Sequence, residues 1–185
     1  MLLCLAGVSG VGKSYYTNLF IDKLGFKRVQ IITTRPPRDS DAKGAKILVT
    51  DQELDKLRRE DKIAIEFEML GVRYAYLKEA LGGECNLVFE LHYEVVPAFK
   101  RAYPDLKVLY LLPDSLDRAK DNVRQRGLPP EVEAARIAEI DTHKQRVQTD
   151  RELRKLFDYE LYNYYNEESE AKILSFVKDL IEAEK

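Results

Sequence analysis

Eight residues near the start of the chain, Gly7, Val8, Ser9, Gly10, Val11, Gly12, Lys13 and Ser14, fit the pattern G-x-x-x-x-G-K-[ST]. Glycines at these spacings let backbone amides turn inward around a row of phosphates. A helix starting near Lys13 adds the positive end of its dipole. Lys13 can set an ammonium on the β and γ phosphates, and the Ser14 hydroxyl can ligate magnesium. Gly7, Ser9, Gly10, Val11, Gly12, Lys13 and Ser14 are therefore the expected surface for a nucleoside triphosphate. A second phosphate chemistry follows in Thr33-Thr34-Arg35-Pro36-Pro37-Arg38. Consecutive prolines favour polyproline II, with three residues per turn, so Arg35 and Arg38 would point to one side from bases roughly 9 Å apart. Two guanidiniums so held can converge on one phosphate. The alternative for this pair is a solvated basic loop.

These groups need a scaffold, and the hydrophobic pattern supplies one. Leu2–Ala6, Leu87–Leu91 and Val108–Leu112 are apolar runs of the kind found in central parallel strands. Ser14–Leu24 reads as a helix stopping at Gly25, and Arg28–Ile32 as a strand. Ile47–Val49 is a short strand, and Thr50 with Glu53 forms a capping box ahead of a short helix. Ile63, Ile65, Phe67 and Met69 alternate with polar or small residues, so this strand has one wet face; Arg73–Tyr76 pairs back across Gly71. Helices follow Asp114 and Pro130. Tyr159–Tyr162 reads as a last strand and Ser169–Ala183 as a closing helix. Strands alternating with helices imply an α/β protein with a parallel sheet, and the segment from about Thr33 to Gly83 interrupts that order as an inserted lobe.

Composition sets the outer limits. The chain has 185 residues, 30 Lys and Arg against 32 Asp and Glu, and 45% hydrophobic residues. A net charge of −2 offers no electrostatic footprint for nucleic acid or an anionic membrane. Cys4 and Cys85 make neither a disulfide framework nor a CxxC metal site. Met1–Ala6 lacks a basic leader and no run reaches the roughly 20 apolar residues of a membrane helix, so a cytoplasmic protein is expected.

The phosphate loop, followed about twenty residues later by T-T-R-P-P-R, resembles the guanylate kinase family. The similarity continues in order through Ile65-Glu66, Gly71–Tyr74, Leu87–Glu90, Arg126-Gly127 and the strand ending at Asn163. The resemblance implies a three-layer P-loop NTPase fold with a central parallel sheet, an inserted nucleoside-monophosphate (NMP) binding lobe and a lid. In this chain that is one domain, with core 1–32 and 84–185, lobe 33–83 and lid about 124–138. It implies ATP as donor with Mg2+, and GMP as acceptor, dGMP being left open. Arg35, Arg38 and Tyr74 would hold the acceptor phosphate. Glu66 would read the guanine edge, since one carboxylate accepts from adjacent N–H and amino groups; its neighbour Glu68 shares the face, and either could be only a surface charge. Glu90, at a strand end, would help Ser14 hold the metal or simply cap the strand. Arg126 and Arg136 would neutralise the transferring phosphoryl group, or else sit in surface ion pairs.

Four positions depart from the family pattern. Ile31 stands where a serine usually contacts guanine. The second phosphate-binding tyrosine, expected near Lys46 or Ile47, is missing. His92 replaces a frequent aspartate. Asn122 replaces a lid arginine, with Arg124 two residues on as a substitute. They keep open a kinase for another small phosphate ester, such as ribose 1,5-bisphosphate. A non-catalytic guanylate-kinase-like binding module is the other alternative, although such modules commonly lose the ATP site. His92 and His143 have no partner at metal-ligand spacing and are expected to be packing or surface residues. The tyrosines at 159, 162, 164 and 165 are expected to pack the last strand against its helix.

Overall fold

The computed structural model describes residues 1–37, 44, 46–69 and 71–184. Its first strand, β1 (Leu2–Gly7), shows why the opening run is apolar throughout. Leu3 and Leu5 enter one core, while Cys4 and Ala6 enter the other, and all four are fully buried. A strand covered on both faces needs apolar residues at odd and even positions alike. After α1 (Lys13–Leu24), the segment expected as one strand divides into β2 (Lys27–Arg28) and β3 (Ile31–Thr33). Val29 still bonds to Val88, and the chain then crosses from the core sheet to the lobe sheet.

The lobe continues with β4 (Lys46–Leu48), α2 (Asp51–Arg59), β5 (Ile63–Met69) and β6 (Val72–Leu77). Its strand order is β4-β3-β6-β5; β3 pairs parallel with β4, and the other pairs are antiparallel. The capping box at Thr50 forms as expected. Back in the core come β7 (Leu87–Glu90), α3 (Val96–Ala102), β8 (Lys107–Pro113), α4 (Leu116–Arg124), α5 (Pro130–Thr149), α6 (Arg151–Arg154), β9 (Tyr159–Asn163) and α7 (Glu167–Ala183). The core sheet is wholly parallel, in the order β2-β7-β1-β8-β9.

Helices α1, α4 and α7 pack one face of this sheet, and α3 and α6 the other; α5 gives Ile140 to the first core and Val147 to the second. The three-layer expectation holds. The chain order reverses on either side of β1, so the crevice beyond its carboxyl end is the topological switch point where open α/β sheets bind ligands. Gly7, Glu90 and Asn163 all lie at strand ends on that rim. Among the described residues, no helix is long and apolar enough to cross a membrane.

Candidate active site

The turn from β1 into α1 carries the glycines in left-handed backbone, with φ of 81° at Gly10 and 97° at Gly12. Three side chains brace it from behind. Asn163 donates from Nδ2 to the Val11 carbonyl (2.9 Å). Its Oδ1 accepts from the Tyr16 and Ser169 hydroxyls and from the Tyr165 backbone N–H. Asn122 Nδ2 and the Tyr165 hydroxyl both donate to the Gly10 carbonyl, at 3.0 and 3.2 Å. Lys13 folds over the loop and donates to the carbonyls of Gly7 (2.8 Å) and Val8 (2.9 Å). Burial lowers its pKa, and the charges of Glu90 and Glu139 work against that shift.

Ser14 Oγ donates to Glu90 Oε2 at 2.9 Å, so the hydroxyl of the loop and the carboxylate at the end of β7 meet. Two hard oxygen donors at this spacing fit a magnesium ion that keeps several waters. Above them α4, α5 and their connection bring Arg126 and Arg136 to the same cleft. Burial pulls the Arg126 guanidinium below its ordinary pKa, and the neighbouring charge of Arg136 adds to the effect. Two like charges held close in a partly dry cleft are stabilised by an anion between them.

The lobe forms the facing wall. Ile31, Phe67, Met69 and Tyr74 line the cleft opposite Lys13 and Ser14, in one cavity of about 830 Å³. Phe67 and Tyr74, paired across β5 and β6, stack with centroids 5.3 Å apart. Arg35 leaves β3 with its backbone N–H on Thr33 Oγ1 and is buried, 5% exposed. Arg38 lies outside the described residues.

The guanylate kinases of two strains of Thermus thermophilus are each 28% identical over 182 residues; the match covers 95% of this chain and 80% and 78% of theirs. The guanylate kinase of Bdellovibrio bacteriovorus is 24% identical over 191 residues, 97% of each chain. A crystal structure of guanylate kinase from Anaplasma phagocytophilum shares the fold, with a TM-score of 0.68 at 16% identity over 100% of this chain and 85% of that one. No family model matches. The chain is similar to guanylate kinases along most of its length.

Against the pattern expected from that resemblance, the chain departs most at Glu66. Strand alternation puts Ile65, Phe67 and Met69 on the face opposite Glu66, which pairs with Ala75 on the side packed by Leu54 of α2. There Arg58 Nε reaches Glu66 Oε2 at 2.8 Å and Arg73 Nη2 reaches Oε1 at 2.8 Å. The hydrogen bond from Arg58 holds the carboxyl below its usual range, and Arg73 adds to it. The expected base reader is thus an ion-paired residue facing away from the cleft. Glu66→Gln should leave the Michaelis constant for any nucleotide acceptor within about threefold, because Arg58 and Arg73 hold the carboxylate away from the cleft, where it offers no binding energy. Steady-state kinetics beside the parent protein check this.

Other members of the expected set fall out unevenly. Tyr74 is in the cleft, and Ile31 presents its apolar side chain there. Arg124 pairs with Asp121 on an exposed helix end, and Asn122 braces Gly10. Tyr162 and Tyr164 are half exposed and stack on each other, whereas Tyr165 reaches the cradle. His92 and His143, expected to be isolated, converge on Glu139 of α5: His92 Nε2 lies 2.9 Å and His143 Nδ1 3.4 Å from Glu139 Oε1. Burial opposes ionisation of Glu139, but the neighbouring His143 and His92 outweigh it and hold the carboxyl well below the usual range. Burial lowers the pKa of His143. The sequence displays only the i, i+4 spacing of Glu139 and His143, which does not reveal the third partner.

Proposed function

We propose that the protein transfers the γ-phosphoryl group of ATP to a nucleoside monophosphate, with GMP as the leading acceptor and dGMP as a second. One observation carries this reading: the cradle, the two lid arginines and the aromatic wall of the lobe share a single cleft. Donor and acceptor phosphates can therefore meet without crossing the molecule. The names of the Thermus and Bdellovibrio relatives point to GMP.

Phosphoryl transfer asks little covalent chemistry of the protein, so positioning and charge neutralisation dominate. The loop amides and Lys13 would hold the donor phosphates, and Arg35, with Arg38, would hold the acceptor phosphate beside Tyr74. Arg126 and Arg136 would stabilise the charge that spreads over the transferring group. Magnesium, held by Ser14 and Glu90, would neutralise charge on the donor phosphates. Closure of the lobes would exclude water, the competing acceptor.

A second acceptor class has its own support. Glu66 is engaged by Arg58 and Arg73, and Ile31 offers no hydrogen bond to a base. Both favour a phosphate ester without a guanine edge, ribose 1,5-bisphosphate being the type. A coupled ADP-release assay over GMP, dGMP, AMP, CMP, UMP and ribose 1,5-bisphosphate separates the two. The nucleotide reading expects GMP to lead by at least about tenfold in kcat/KM, and sugar-phosphate turnover with no nucleotide turnover would replace it. A binding module without catalysis would show no turnover with any acceptor and no saturable ATP binding in calorimetry.

A further inference from the structure

We propose that His92 Nε2, Glu139 Oε1 and His143 Nδ1 form a binding site for a zinc-class divalent cation that ties helix α5 to the loop after β7. The three side chains come from two elements far apart in sequence, and their ligand atoms all lie within 4.8 Å of one another. A tetrahedral zinc with bonds of about 2.0–2.1 Å sets its ligands about 3.3 Å apart. The two separations from Glu139 Oε1, 2.9 and 3.4 Å, bracket that value. Two neutral imidazoles and one carboxylate suit zinc or cobalt, whereas magnesium prefers oxygen alone.

The surroundings fit better with an ion than without one. His143 is fully buried, and its Nδ1 has no hydrogen-bond partner among the described residues, although Glu139 Oε1 faces it. A buried nitrogen left unpaired costs free energy, which a cation would recover. Its other nitrogen, Nε2, meets the Tyr110 hydroxyl at 3.1 Å, the outer contact that orients a ligating histidine. Glu139 Oε2 accepts from Ser9 Oγ at 3.2 Å, leaving Oε1 for the ion. His92 Nδ1 accepts from the Glu94 backbone N–H at 3.5 Å; binding an ion through Nε2 would move the proton to Nδ1, in place of that contact and 3.5 Å from Glu94 Oε2.

His92 and Glu139 also line the cleft, so a cation with three protein ligands keeps its open position toward the phosphates. It would also fix α5 against the cradle through Ser9, one turn from Arg136. None of these three ligands belongs to the Ser14–Glu90 pair, so the two ion sites are separable.

The test titrates metal-free protein with Co2+, following the visible bands of four-coordinate cobalt, and then displaces it with Zn2+ in calorimetry. One saturable site is expected. The thermal midpoint should rise by about 5 °C or more with Zn2+ at a hundredfold excess over its dissociation constant. His92→Ala and Glu139→Gln should each weaken binding by more than about 100-fold, and Tyr110→Phe by about tenfold. A Cys85→Ser protein should bind as the parent does. Absence of a saturable site overturns the proposal, as does parental affinity in either His92→Ala or Glu139→Gln. Should His92→Ala fail to fold, Glu139→Gln alone decides.

Discussion

Lys13→Ala should lower turnover by about 10³-fold or more while the protein stays folded, with its thermal midpoint within about 5 °C of the parent. The ammonium already commits two donors to the Gly7 and Val8 carbonyls, at 2.8 and 2.9 Å, which leaves its third N–H for a phosphate oxygen. That fixed geometry makes it worth more to a transition state than a mobile surface lysine, because no reorganisation is needed when charge builds. Its stability contribution is small for opposing reasons. Removing it loses two hydrogen bonds but also relieves a charge that burial disfavours. Circular dichroism and thermal melting report the fold, and the ADP-release assay reports turnover. Activity within tenfold of the parent would mean that the phosphate cradle is not the donor site.

The cradle is legible in the sequence because its recognition is local: eight consecutive residues carry the backbone geometry and the charge together. The lobe's side of the cleft is not, because it depends on which face of a strand turns inward. The alternation from Ile63 to Met69 separates an apolar face from an acidic one, and nothing in it says which of the two faces the cleft. In the fold, Phe67 and Met69 line the cleft, and Glu66 turns toward α2, where Arg58 meets it. The basic residues of α2 and the cross-strand neighbour Arg73 are the available signal for that pairing. Nor does the sequence divide β2 from β3, since Val29 and Gln30 offer neither glycine nor proline where the chain changes sheets. Helix α3 is too short for its apolar period to stand out, and Pro97 at its start is the one local cue. Asn163 reads only as the end of a strand; its role as a buried hub arises from contacts more than 140 residues away in sequence. The histidine cluster is the same case, because the fold alone carries His92 to Glu139.

Gly10→Ala should destabilise the protein by about 2–5 kcal/mol, lowering the thermal midpoint by about 5–15 °C, and should abolish ATP binding with it. Two effects combine. Gly10 has φ of 81°, where a Cβ costs about 1–2 kcal/mol. A methyl built there would also overlap the Ala119 carbonyl oxygen and lie 2.9 Å from its carbon, both backbone atoms of α4 that cannot rotate aside. Either the loop lifts from α4 or the helix shifts. In both cases the Gly10 carbonyl loses its bonds from Asn122 and Tyr165, and the amides no longer converge on a phosphate. Gly25→Ala separates the two effects, because φ there is 72° but no described residue lies within 4 Å of the added methyl. That variant should lose only the conformational part, about 1–2 kcal/mol, and keep parental ATP affinity. Equal melting losses in the two variants would mean that the close approach of loop and helix carries no weight, and that the cradle is held by its backbone preference alone.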